Sequence, residues 1–107
     1  MSNTETLKKL ERLEKLMKNR WCKDRVTDGR GNYCLLGGIA AVEVTSYWIS
    51  VIETPLGSEI GKTRDKSKRF KDKRFAEIND TMGQKAVLQL LKLVKDKLKK
   101  RIKNGKL

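Results

Sequence analysis

Residues 81–105 read TMGQKAVLQLLKLVKDKLKKRIKNG, and this stretch decides the fold of the 107-residue chain. Apolar side chains recur in it every three or four positions, which is typical of an amphipathic helix that buries one face. The positions that share this face are Val87, Leu91, Val94, Leu98 and Ile102. We predict a helix over 81–104 that begins with a capping box of Thr81 and Gln84 and stops at Gly105.

The opposite face of this predicted helix is basic. Its lysines are Lys85, Lys92, Lys95, Lys99 and Lys103. A lysine presents a point charge rather than the planar fork of an arginine, so this face suits contacts with phosphates better than readout of base edges. A row of lysines is equally typical of a solvated face that only keeps a small protein in solution.

The first third of the chain predicts one more helix and a loop. Residues 4–21 carry leucines at helical spacing, preceded by a possible capping box of Ser2 and Glu5. Two turn signals follow, Asp28-Gly29 and Gly31-Asn32. We therefore expect a connecting loop over residues 26–33.

The middle of the chain predicts a further buried element. A helix is expected from about Cys34 to about Glu43, and its small residues Gly37 and Gly38 let another helix approach closely. Residues 44–52 are rich in β-branched and aromatic side chains, which suit a helix or a strand. The fold class that follows is mainly α: a single domain over residues 1–107, a bundle of three to four helices with a turn-rich loop.

The charge of the chain is unevenly distributed. There are 26 Lys and Arg against 13 Asp and Glu, a formal net charge of +13. Residues 1–61 hold nine basic and eight acidic side chains, whereas residues 62–107 hold seventeen basic and five acidic ones. Such an asymmetry is typical of a protein that binds a polyanion.

Residues 62–74 form the most basic segment. Its basic side chains are Lys62, Arg64, Lys66, Lys68, Arg69, Lys71, Lys73 and Arg74. Residues 57–74 show no apolar periodicity before Phe70, so we expect 62–74 to be mobile, with Phe70 and Phe75 as its only large anchors. This segment and the lysine face are the candidate polyanion-binding residues.

The residue types present argue against catalysis. The chain has no histidine, which removes the commonest general base and the commonest metal ligand. The thiols of Cys22 and Cys34 cannot complete a tetrahedral zinc site, and we expect them to be reduced and packed. Two carboxylate pairs could hold a cation, although surface carboxylates and helix caps explain them more simply. These pairs are Asp24 with Asp28 and Glu77 with Asp80. We predict no enzyme activity, no cofactor and no metal site.

Two groups of short motifs stand out. The first comprises Trp21, the Asp28-Gly29 turn and the helix start Cys34-Leu35-Leu36-Gly37, and the second comprises Phe75 followed by Asn79-Asp80-Thr81-Met82-Gly83. Together they resemble a family of small bacterial and phage proteins of unassigned function. The resemblance implies a compact, mostly helical domain and no particular activity. The chain departs from the family pattern by the residues between Phe75 and Asn79 and by its basic insert at 62–74.

Trp21, Asn79 and Asp80 form a second candidate site. An aromatic face beside an amide and a carboxylate could line a pocket that stacks on a nucleobase and forms hydrogen bonds with it. The simpler interpretation is structural, with Asn79 and Asp80 capping the last helix.

Three functions remain open from the sequence. The first is a non-enzymatic, phage-type accessory protein that binds nucleic acid or another phosphate-bearing ligand. The alternatives are an inhibitor that docks on the acidic surface of a host defence or nucleic-acid-processing protein, and a sponge for a nucleotide signal that works as a homo-oligomer. No targeting or membrane-spanning pattern is visible, so we expect no membrane partner and a location in the cytoplasm, that of the host if the chain is phage-encoded.

Overall fold

The computed structural model describes residues 2–45 and 51–105, and these residues confirm the mainly α class. The α-helices are α1 (Asn3–Asn19), α2 (Leu35–Glu43), α3 (Pro55–Asp65), α4 (Phe75–Glu77) and α5 (Gln84–Lys103). A 3-10 turn at Val51–Glu53 precedes α3, and a π-helical turn at Ile78–Met82 joins α4 to α5. None of the helices in these two ranges is long and apolar enough to cross a membrane.

The first and last long helices, α1 and α5, pack against each other and supply about half of the buried apolar side chains. Leu10, Leu13 and Met17 of α1 are fully buried. On α5 the fully buried side chains are Ala86, Val87, Leu90, Leu91, Val94 and Leu98. Each large apolar side chain that leaves water in this way contributes about 1.5–3 kcal/mol. Ser2 begins α1 as predicted, because its hydroxyl accepts a hydrogen bond of 3.1 Å from the backbone N–H of Glu5.

Helix α2 packs closely on α1 because its first turns are made of small residues. A Cβ on Gly38 would lie 2.7 Å from the Cε of Met17, and one on Gly37 would collide with the backbone carbonyl of Val26. The prediction that these glycines let another helix approach closely is confirmed for Gly38, whereas Gly37 admits the loop at Val26 rather than a helix. Helix α2 ends at Glu43 as predicted, with Val44 in the left-handed conformation at φ 52°. The sequence left open whether residues 44–52 form a helix or a strand, and residues 46–50 of this segment lie outside the described ranges.

Glu43 holds three helices together. Its Oε1 accepts a hydrogen bond of 2.5 Å from the Lys9 ammonium of α1, and its Oε2 accepts one of 2.8 Å from the backbone N–H of Leu56 at the start of α3. Burial alone would raise the pKa of Glu43, but these hydrogen bonds outweigh it and the pKa is lowered. The carboxylate also lies at a helix N-terminus, where the dipole favours a negative charge.

Residues 57–74 differ from the prediction. Helix α3 occupies this region as far as Asp65, so Lys62 and Arg64 lie on a helix rather than in an irregular segment. The helix was missed because glycines 57 and 61 interrupt its apolar pattern, which consists of little more than Leu56 and Ile60, both fully buried. The mobility of 62–74 stays a prediction, while the anchoring role of Phe70 and Phe75 is confirmed by exposures of 1% and 3%.

The start of α5 also differs from the prediction. The helix begins at Gln84, after Gly83 at φ 91°, and the π-helical turn occupies the preceding positions, Thr81 included. The capping box of Thr81 and Gln84 is therefore wrong. The Gln84 amide instead donates hydrogen bonds to the carbonyls of Met17 and Lys18 at the end of α1, at 2.9 and 3.2 Å.

Candidate nucleic-acid interface

A groove runs between α3, the turns that follow it, and α5. We call it the α3–α5 groove. Thr63, Lys66, Ser67, Arg69 and Phe70 form one wall, and Gln89, Lys92, Leu93, Asp96 and Lys97 form the other. It contains two cavities of about 310 and 360 Å³, which share Ser67 and Leu93 and therefore lie side by side. Leu93, which lines both cavities, is 44% exposed.

The structure brings some of the predicted basic residues together at this groove. Lys66, Arg69 and Lys92 line it directly. The other predicted lysines that are exposed to solvent are Lys62, Lys68, Lys71, Lys85, Lys99 and Lys103. Lys73 and Arg74 line a separate cavity of about 260 Å³ with Arg64, Asp65 and Asp72, where the two carboxylates offset most of the positive charge.

Two predicted phosphate contacts are paired with acidic side chains of the protein itself. Lys95 forms an ion pair of 2.9 Å with Glu14, so it lies at the α1–α5 contact rather than on the free lysine face. Arg64 pairs with Asp65 at 3.0 Å and stacks over the ring of Phe75. A ligand would have to displace these partners. We therefore leave both residues out of the candidate interface.

The groove also contains a lysine that the sequence did not single out. The pKa of Lys97 is lowered by burial and by the positive charges of Lys66, Arg101 and Lys62. Lys66 and Lys62 reach Lys97 only because α3 packs beside α5, and α3 was not predicted. Arg101 is held by Glu59, which accepts two hydrogen bonds of 2.7 Å from its guanidinium. The cluster therefore keeps an excess of positive charge that an anion would relieve.

Thr63 adds an unusual polar group to the same cavity. It is 8% exposed and lines the cavity with Lys66 and Lys97. Its hydroxyl has no hydrogen-bond partner among residues 2–45 and 51–105. Buried hydroxyls without partners are rare in folded proteins and call for an explanation.

The second candidate site, Trp21 with Asn79 and Asp80, does come together. The indole N–H of Trp21 donates a hydrogen bond of 2.7 Å to Oδ1 of Asn79, which also accepts one of 3.0 Å from the backbone N–H of Leu35. The Asn79 amide nitrogen donates to the carbonyl of Cys22 at 3.1 Å and to the Asp80 carboxylate at 2.8 Å.

These contacts use the whole hydrogen-bonding capacity of the Asn79 side chain, which is fully buried. A nucleobase could bind to the amide only by breaking them. The Asp80 carboxylate is also engaged, because it accepts a hydrogen bond of 2.8 Å from the backbone N–H of Asp24. The structural interpretation from the sequence, in which Asn79 and Asp80 cap α5, is wrong. The two side chains instead connect the loop after α1 to the π-helical turn. We assign this cluster a structural role.

Neither thiol lies in surroundings that favour a thiolate. Cys22 and Cys34 are both free, and burial raises the pKa of each thiol, which disfavours the reactive thiolate. Cys34 instead begins α2, with its sulfur accepting a hydrogen bond of 3.5 Å from the backbone N–H of Gly37. No three Cys, Asp or Glu side chains of residues 2–45 and 51–105 converge as they would around a metal ion.

Comparisons with protein-family models, curated proteins and solved structures gave no match to this chain. The resemblance to small bacterial and phage proteins therefore stays a prediction. The function has to be argued from the geometry and charge of the molecule itself.

Proposed function

We propose that this protein is a non-enzymatic, phage-type accessory protein that binds nucleic acid through its basic half. The observation that carries the proposal is the α3–α5 groove, where two separate basic segments of the sequence meet. Lys66 and Arg69 approach from one side, and Lys92 and Lys97 from the other. Asp96 is the one acidic side chain in these walls.

The outer face of α5 extends this positive surface. Lys85, Lys92 and Lys99 are exposed and follow one another at intervals of seven residues. Because an α-helix rises 1.5 Å per residue, successive lysines stand about 10 Å apart along one side of the helix. A row of ammonium groups can follow a phosphate backbone without regard to its bases. We therefore expect binding with little sequence preference.

The test is fluorescence anisotropy with labelled single-stranded and duplex DNA and RNA at two salt concentrations. A surface that makes about six phosphate contacts loses roughly a thousandfold in affinity between about 50 and 200 mM salt. The surface variant reverses three charges: Lys68→Glu, Lys92→Glu and Lys99→Glu. Its matched control is Lys8→Glu, Lys15→Glu and Lys18→Glu, which changes the net charge equally on exposed positions of α1.

The proposal predicts that the surface variant weakens binding by about a hundredfold or more at low salt and flattens its salt dependence. The control variant is expected to keep binding within about fivefold of the original protein, because only the long-range field changes. Equal losses in the two variants would mean that net charge alone drives binding. An absence of binding at low salt would exclude the proposal and leave the inhibitor of an acidic host protein as the next hypothesis.

A further inference from the structure

We propose that the α3–α5 groove binds a nucleotide, with its phosphomonoester in the cavity of Thr63, Lys66, Ser67 and Lys97 and its nucleoside against Leu93. The inference rests on the proposed function and specifies its ligand. It covers a free mononucleotide and the phosphorylated end of a nucleic-acid strand, because both present the same chemical group.

The donors of the first cavity match a phosphate. Lys66, Lys97, Thr63 and Ser67 line a cavity of about 310 Å³, and their side chains carry two ammonium groups and two hydroxyls. Phosphate oxygens are strong acceptors of charge-assisted hydrogen bonds. The hydroxyl of Thr63, which has no partner in the described part of the chain, would gain one from a bound phosphate after rotation about χ1.

The number of positive charges favours a monoester over an internal diester. A phosphomonoester carries about 1.5–2 negative charges at neutral pH and three terminal oxygens. A backbone diester carries a single charge shared by two such oxygens. Lys66 and Lys97 together neutralise the former. Burial and then the positive charge of Lys66 lower the pKa of Lys97, and a bound dianion offsets the second of these causes.

The second cavity suits a nucleoside and sets the direction of binding. It measures about 360 Å³, and Leu93, which is 44% exposed, contributes apolar surface to its wall. Gln89 and Asp96 lie on its other side and offer an amide and a carboxylate to the edge of a base. The first cavity is lined by two lysines and no carboxylate, whereas Asp96 offsets one of the two cations of the second cavity, Arg69 and Lys92. The phosphate therefore belongs in the first cavity and the base in the second.

The experiment compares one labelled oligonucleotide in 5′-phosphorylated, 3′-phosphorylated and unphosphorylated forms, with mononucleotides and inorganic phosphate as competitors. The variants are Thr63→Val and Lys97→Met, and the control is Lys8→Met, which removes one exposed charge from α1, outside the groove and outside the lysine row of α5. We expect a terminal phosphate to tighten binding about tenfold or more. Thr63→Val and Lys97→Met should abolish this preference, and Lys8→Met should keep it.

The outcomes separate this inference from the proposed function. Equal binding of phosphorylated and unphosphorylated strands overturns the nucleotide site and leaves the polyanion surface intact. A phosphate preference that survives in both groove variants also overturns it. Tight binding of mononucleotides without binding of unphosphorylated strands supports the nucleotide site and excludes the proposal that the basic surface binds nucleic-acid strands. If mononucleotides compete with an affinity equal to that of the phosphorylated strand, the ligand is a free nucleotide. If the phosphorylated strand binds much more tightly than any mononucleotide, the ligand is the end of a strand.

Discussion

Trp21 and Asn79, 58 positions apart in the sequence, are joined by a hydrogen bond of 2.7 Å from the indole N–H to the amide oxygen. The same amide holds the backbone of Leu35 at the start of α2 and the backbone of Cys22 after α1. One buried side chain thus fixes three segments relative to each other. Such a network specifies a single arrangement when every member is satisfied, and it is costly when one member is lost.

Asn79→Ala is expected to destabilise the fold severely. The substitution leaves the Trp21 N–H, the Leu35 N–H and the Cys22 carbonyl without their partner, and each unsatisfied group costs about 1–3 kcal/mol. We expect the free energy of unfolding to fall by about 3 kcal/mol or more in urea denaturation. Trp21→Phe removes only one donor and should cost about 1 kcal/mol. Similar losses in the two variants would contradict the central role of Asn79.

Thr63→Val is expected to stabilise the protein while it impairs the nucleotide site. Valine keeps the shape of the side chain and removes a buried hydroxyl that has no partner in the described residues. We expect a gain of about 1 kcal/mol in the free energy of unfolding, measured by thermal or urea denaturation. A loss of stability would show that the hydroxyl makes a hydrogen bond in solution.

Two glycine substitutions on neighbouring helices should have opposite effects. Gly37→Ala pushes a methyl group into the carbonyl of Val26 and should destabilise the fold by about 1–3 kcal/mol. Gly61→Ala in α3 has room, because the nearest atoms to a new Cβ lie 3.9 Å away. It should stabilise the fold by about 0.5–1 kcal/mol through higher helix propensity. Equal effects would argue against the close packing of α2 on the loop.

The stability of the fold should fall in acid, partly through Glu59. The hydrogen bonds from Arg101 lower the pKa of Glu59 below its ordinary value of 4.5, and burial only partly opposes this. A carboxyl group whose pKa is lower in the folded state stabilises the protein above its unfolded pKa. That stabilisation disappears as the pH falls from about 4.5 through the lowered pKa. Urea denaturation between neutral pH and pH 3 should show this loss of stability. In Glu59→Gln the free energy of unfolding should depend less on pH.

The sequence predicted the helices whose apolar pattern is strong and regular. Helix α1 and most of α5 follow from leucines at helical spacing, and the loop between α1 and α2 follows from its Asp-Gly and Gly-Asn turns. Helix α3 escaped detection because Leu56 and Ile60 are separated by a glycine at 57, and its burial depends on the surfaces of α1 and α5. Local periodicity cannot reveal an element whose stability comes from distant contacts.

In the candidate site, too, some residues could be selected from the local pattern of the sequence and others could not. Lys92 and the other outward lysines of α5 could be placed on one face from the helical period alone. Thr63 and Lys97 could not be selected, because their significance lies in the cavity that α3 and α5 form together. The sequence did single out Asn79, but its saturation by Trp21 and Leu35 depends on long-range contacts that only the folded chain contains.

The packing of α1 on α5 has a consequence for the order of events during synthesis. Helix α1 is made before α5, so the part of its buried face that packs on α5 stays uncovered until α5 has emerged from the ribosome. The contacts of Leu13 and Met17 with Gly38 of α2 can form earlier. The contacts between α1 and α5 are distant in sequence, and we expect them to form last.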